Sequence, residues 1–286
     1  MHYVRVCVSG PFAGSPCPIR FDAVYAEAPR ATNVFGGNRG VKSGLDRGRP
    51  ALYGGRMAKD PILVFDLDGT LADTARDLIG TLNVLLIDAG LPAVASEDAR
   101  HLVGAGARAL IERGFALYGA RQDPADIEAL VARFLSHYAD HIADETCLFP
   151  GAAAALDRFR IAGFRLAICT NKPEPLARLL LDRLGVADRF SAICGRGSFP
   201  MHKPDPEMLR RTIAAAAGDP DRAIMVGDSR TDIETARNAG IPVVAVDFGY
   251  TDTPVAALGP DRIISRFDEL WDAAHALLAG DTDRST

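Results

Sequence analysis

Two acids stand two residues apart at the end of an apolar run, Val64-Phe65-Asp66-Leu67-Asp68-Gly69-Thr70. Alternation along an extended chain places side chains i and i+2 on one side. Asp66 and Asp68 are therefore expected to face one crevice, with Gly69 turning the chain away. Two carboxylates this close repel unless a cation or a shared proton compensates. Magnesium suits them, because it takes hard oxygen ligands and commonly sits between carboxylates and phosphate oxygens. A turn-forming Asp at a strand end accounts for one acid; it does not account for two behind an apolar strand.

Three further polar pieces follow in order: Thr170-Asn171-Lys172 after Ile168-Cys169, then Lys203-Pro204-Asp205-Pro206, then Gly227-Asp228-Ser229-Arg230-Thr231-Asp232 after Val226. Each is weak alone, but the elements between them make the set coherent. Apolar runs at 62–65, 165–169, 192–194, 223–226 and 243–246 read as buried parallel strands. Helical periodicity fills 152–162, 175–184, 206–217, 230–239 and 267–279, and Leu270 and Trp271 are expected to pack the last helix on the sheet. Gly163, Gly185, Gly218 and Gly240 fall where helices end, as expected for residues that accept a left-handed backbone. Strand and helix alternating in this way predict a doubly wound parallel sheet, an α/β fold with helices on both faces. Each polar piece then lies beyond the carboxyl end of a strand, where ligands bind in open α/β sheets.

Residues 74–146 break the alternation. They offer helices near 74–89, 97–103, 106–118 and 124–142, the last opened by Asp123 as N-cap and Pro124 at the first helical position. An all-helical cap is thus expected over the active edge, inserted into an α/β core of residues 57–73 and 147–280. Phe134, Leu135, Tyr138 and Ile142 are spaced as its core-facing stripe. His137 and His141 have a metal-holding i, i+4 spacing, but no third ligand is evident and a solvated face is the expectation.

The four polar pieces together resemble the haloacid dehalogenase superfamily, specifically its phosphatases with a helical cap after the first strand, over about residues 60–280. The resemblance implies a Rossmann-like core. It implies Asp66 as nucleophile toward phosphorus and Asp68 as general acid, then base. It implies Mg²⁺ held by Asp66, the Asp68 main-chain carbonyl and Asp228. Thr170, the backbone after it at Asn171, and Lys203 are implied at the phosphoryl group, with Asp232 orienting Lys203 or a metal-bound water. With an ordinary carboxylate pKa near ~3.9, Asp66 is expected to be ionised without a base.

An acid two residues after the nucleophile points to phosphoryl chemistry rather than dehalogenation. A phosphomonoester hydrolase and a phosphosugar mutase of the β-phosphoglucomutase kind both fit, whereas a catalytically dead binding module conflicts with the intact acids. Val103-Gly104-Ala105-Gly106-Ala107 reads as a helix corner, yet it also looks like the bacterial phosphoglycolate phosphatases, as do Asp73 and Phe149-Pro150-Gly151. That likeness implies 2-phosphoglycolate as substrate, with Arg108 as partner for its carboxylate; sugar phosphates and nucleotides stay open.

Composition sets outer limits. The chain has 286 residues, 48% hydrophobic and 24% charged, with a formal net charge of −5. A mildly acidic total argues against a general nucleic-acid binder, and no apolar stretch approaches the ~18–20 residues of a membrane span. Five cysteines, an odd set without a CxxC pair, fit reduced thiols in a cytoplasmic protein, a monomer or homodimer. Residues 1–56 hold 9 of the 27 glycines and carry 8 basic against 3 acidic residues. They lack periodicity, so disorder is expected there, with Met57 as the true start. Gly36 to Ser43 hints at a P-loop but has no adjacent Gly-Lys and no preceding strand. The 281–286 tail is expected to fray.

Overall fold

The structure is a computed structural model describing residues 59–251 and 253–280, all within the unit Met57–Thr286. The expectations for residues 1–56, for Met57 and for 281–286 lie outside the described residues.

The chain opens with β1 (Ile62–Phe65), the short β2 (Ala72–Asp73), then α1 (Ala75–Asp88), α2 (Ser96–Ala99), α3 (Ala107–Ala116) and α4 (Pro124–Asp140). It returns through β3 (Cys147–Leu148) and α5 (Ala152–Ile161) to β4 (Arg165–Pro173), α6 (Glu174–Arg183) and β5 (Ala192–Arg196). Next come α7 (Pro206–Ala215), β6 (Ala223–Gly227), α8 (Arg230–Ala239), β7 (Val243–Val246), β8 (Arg262–Ile264) and α9 (Leu270–Gly280). Six strands form a parallel sheet in the order β5-β4-β1-β6-β7-β8. Connections leave β1 in both directions, which makes its carboxyl end a switch point of the doubly wound type.

The central strand shows why its sequence is apolar at every position. Ile62 to Phe65 pair with Arg165 to Ile168 on one side and with Ala223 to Val226 on the other, and all four are fully buried. Leu63 and Phe65 join one apolar layer with Leu156 and Phe159 of α5 and Leu270 of α9. Ile62 and Val64 join the opposite layer with Met208 and Ile213 of α7 and Ile233 of α8. Burial on both faces removes the hydrophobic–polar alternation of a half-exposed strand.

The cap helices lie between β2 and β3, which pair antiparallel through Ala72 with Leu148 and Asp73 with Cys147. Asp77 of α1 ties the two ends of the insertion. Its carboxylate accepts from the Glu145 and Thr146 main-chain N–H groups and, at 2.7 Å, from the Thr146 hydroxyl. Asp123 occupies the N-cap of α4 with Pro124 next, but its side chain makes no capping bond.

Three short strands were not anticipated, and one expectation about a glycine is corrected. The edge strand β8 was not expected, because three residues with two of them exposed carry no pattern. The two-residue β2 and β3 are too short to show a period. Gly218 is not left-handed: Ala217 takes that conformation, at φ 55°. Gly218 is needed instead for closeness, since a Cβ there would stand 2.7 Å from the Ile62 side chain. Among the described residues, no helix is long and apolar enough to cross a membrane.

Candidate active site

β1 ends at Phe65, and the Asp66 main-chain N–H still bonds to the Val226 carbonyl at 2.9 Å, so the first acid is anchored to the sheet. The chain then folds back on itself, with the Leu71 and Ala72 N–H groups both bonding to the Leu67 carbonyl at 3.0 Å. Gly69 sits in this loop at φ +83°, and a Cβ there would lie 2.5 Å from the Asp228 carboxylate. Any other residue would strain the backbone and displace that acid. Asp228, carried at the end of β6, is held by the Thr70 hydroxyl at 2.9 Å and the Tyr250 main-chain N–H at 2.8 Å.

Lys203 reaches the same place from the segment after β5. Its buried ammonium lies 2.9 Å from Asp66 Oδ1 and 2.6 Å from Asp232 Oδ1. The other Asp232 oxygen accepts from the Ser229 hydroxyl at 2.6 Å and main-chain N–H at 3.1 Å, which closes a capping box at the start of α8. One residue thereby sets the helix and the lysine together.

Burial and charge act on these acids in a definite direction. Burial pushes Asp66 up to about 6, against the pull of Lys203. Burial, with Asp232 and Asp66 close by, pushes Asp228 up to about 8. Burial and the neighbouring acids thus work against the charge on Asp66, Lys203 at 2.9 Å works for it, and a bound cation would add to that pull. Asp66, Asp228 and Asp232 each offer an oxygen within 4.8 Å of the others. Asp232 accepts three bonds, from Lys203 and twice from Ser229. Asp228 accepts one at each oxygen and Asp66 pairs with Lys203 through Oδ1, so Asp66 and Asp228 keep more lone pairs for an ion. Buried hard oxygens in excess of one ammonium fit Mg²⁺.

The opposite wall comes from β4. The Thr170 hydroxyl accepts from the Lys172 N–H at 3.2 Å, which leaves its own proton to donate. The Lys172 ammonium lies 2.8 Å from Asp68 Oδ1 and 2.9 Å from the Tyr138 hydroxyl of α4. Asp66, Asp68, Thr170, Asn171, Lys172 and Tyr138 line one narrow cavity of about 50 Å³, roofed by apolar cap residues including Val103, Leu110 and Phe134.

Of the expected site residues, Asn171 lines the cavity with its side chain engaged elsewhere, and Arg108 is placed differently. The Asn171 amide is spent on the Lys203 peptide, donating to its carbonyl and accepting from its N–H, both at 3.1 Å. Its side chain braces the lysine loop, while the backbone that follows Thr170 stays at the cavity wall. Arg108 lines a separate groove on the cap and pairs with Glu112 and Glu128. His137 and His141 stack on each other, His137 beside the Thr81 hydroxyl and His141 beside Asp144. Tyr138 and Lys172 were missed as site residues. Tyr138 reads as core, which by burial it is, and Lys172 follows two more conspicuous polar residues.

Residues 63–246 match the family profile described as haloacid dehalogenase-like hydrolase. The chain belongs to this family. Among curated relatives of this hydrolase, the phosphoglycolate phosphatase of Mesorhizobium japonicum is 50% identical over 210 residues, 73% of this chain and 92% of the relative. Among solved structures, a predicted phosphoglycolate phosphatase from Haemophilus somnus 129pt superposes with a TM-score of 0.70 at 28% identity, over 76% of this hydrolase and 99% of that chain. The CbbY protein of Rhodobacter sphaeroides, in complex with xylulose-(1,5)bisphosphate, matches with a TM-score of 0.62 at 25% identity, over 74% and 96%.

Proposed function

We propose that this hydrolase is a Mg²⁺-dependent phosphomonoester hydrolase, acting through an aspartyl-phosphate on 2-phosphoglycolate to release glycolate and phosphate. The observation that carries this reading is the pairing of each acid with its own buried lysine in one small cavity. Asp66 is with Lys203 and Asp68 with Lys172. Asp66 shares Lys203 with the acid Asp232, whereas Asp68 shares Lys172 with the Tyr138 hydroxyl of the cap, and two neighbouring carboxylates in unlike settings are suited to unlike tasks.

In this reading an Asp66 oxygen attacks phosphorus in line with the leaving alkoxide. Lys203 and the Thr170 hydroxyl take up charge on the transferring oxygens, where positioning and electrostatics supply most of the catalysis. Asp68 gives its proton to the departing alkoxide. It then accepts one from the water that attacks the aspartyl-phosphate, so inorganic phosphate leaves and both acids return to their starting state. Mg²⁺ held by Asp66 and Asp228, with the Asp68 carbonyl, would neutralise charge between nucleophile and phosphate. The narrow cavity favours a small ester, and the relatives' names supply the specific one.

A panel of phosphate monoesters assayed with Mg²⁺ and with EDTA tests this. Phosphate release should be fastest from 2-phosphoglycolate and abolished by EDTA. Conversion of β-glucose 1-phosphate to the 6-phosphate without phosphate release would instead establish the mutase reading.

A further inference from the structure

We propose that Lys172 is a positioning residue that holds the Asp68 carboxylate at the reacting end of the cavity, with the Tyr138 hydroxyl fixing the ammonium from the cap side. The proposal rests on the reading of Asp68 as the acid that protonates the leaving group.

The contacts are specific. Lys172 Nζ donates to Asp68 Oδ1 at 2.8 Å and to the Tyr138 hydroxyl at 2.9 Å, and lies 4.4 Å from the centroid of the Tyr138 ring. Its side chain is 4% exposed and that of Asp68 15%. Lysine ends are seldom buried unless paired, and immobilising so long a side chain costs about 1.5–2 kcal/mol of rotamer entropy. A buried ion pair returns little net stability compared with apolar packing. The apolar roof of this cavity shows that such packing is available beside it. What the pair does provide is direction. Lys203 is committed to Asp66 and Asp232, so Lys172 is the lysine bonded to Asp68. Tyr138 in turn is packed on its own helix: it is 1% exposed and stacked against Phe134 with ring centroids 6.1 Å apart. The chain of contacts therefore runs from a packed cap helix through one ammonium to one carboxylate oxygen. An acid displaced by an ångström loses much of its effect.

Leaving-group chemistry separates positioning of an acid from structural support. An alkyl phosphate needs a proton delivered to its alkoxide, whereas p-nitrophenyl phosphate expels a stable phenolate without one. The ratio kcat/KM covers steps only through expulsion of the alcohol, so it isolates that event. Lys172→Met should lower kcat/KM for 2-phosphoglycolate, or for the best alkyl ester in the panel, about 100-fold. For p-nitrophenyl phosphate the loss should stay below about tenfold. Tyr138→Phe, which keeps the ring and removes only the hydroxyl, should show the same preference at about five- to tenfold; it serves if the lysine variant fails to fold. Equal losses on both esters, or none, would overturn the proposal. Asp68→Asn run alongside keeps the two readings apart. If it discriminates between the esters and Lys172→Met and Tyr138→Phe do not, only the positioning role falls. If Asp68→Asn itself hits both esters equally, the acid assignment falls and the proposal with it.

Discussion

At the scale of single residues, the site assigns most polar groups to one task each. Lys203 faces Asp66, Lys172 faces Asp68, and Asp232 divides its two oxygens between Lys203 and Ser229. Arg108 stands apart, with its guanidinium shared between Glu112 and Glu128 on a half-exposed surface. Arg108→Ala is therefore expected to leave KM for 2-phosphoglycolate within about twofold and stability within about 0.5 kcal/mol, since exposed ion pairs contribute little. Steady-state kinetics and urea unfolding check both, and a tenfold rise in KM would restore the arginine to the substrate. The difference from the sequence expectation has a simple cause. Ala107 faces the cavity, and the next residue of a helix points about 100° away.

At the scale of elements, the cap is secured where it leaves the core. Asp77, buried in α1, accepts bonds from both residues that lead into β3. Asp77→Ala should leave buried N–H groups without acceptors and cost about 2–3 kcal/mol, read as a lower urea midpoint with an unchanged slope. Much of this architecture was legible in the residues. The unbroken apolar run at 62–65 marked the central strand, and the helical periodicity from 206 marked a helix that begins where the Asp205 carboxylate accepts from the Glu207 N–H. The motif acids were legible because each follows a strand. Lys172 and Tyr138 were not, because their partnership joins positions 34 residues apart and Tyr138 satisfies the core pattern equally well. Gly218 misled in the same way. A glycine at a helix end usually signals a backbone conformation, and here it answers to the Ile62 side chain across the core.

At the scale of the whole molecule, catalysis and stability meet in the acidic cluster. Without a cation, Asp66 sits at about 6 and Asp228 at about 8, both raised chiefly by burial. An acid raised on folding stabilises the fold fully below its unfolded value of about 3.9 and loses that contribution as pH climbs through the folded value. Chelated protein should therefore lose stability from about pH 4 to about pH 8. Mg²⁺, which binds the ionised acids, should restore progressively more of it toward the alkaline end. Melting temperatures with EDTA and with Mg²⁺ across that range test this, and a gap that stays constant or narrows would contradict it. The central claim is chemical: Asp66 takes the phosphoryl group. The direct measurement is to quench the enzyme in acid during turnover of 2-phosphoglycolate, reduce with borohydride, and sequence the peptides by mass spectrometry. An aspartyl-phosphate is converted to homoserine, so the account predicts homoserine at position 66 and at no other aspartate, absent when substrate is omitted. Phosphate released at full rate with residue 66 still aspartate in every quenched sample would contradict it.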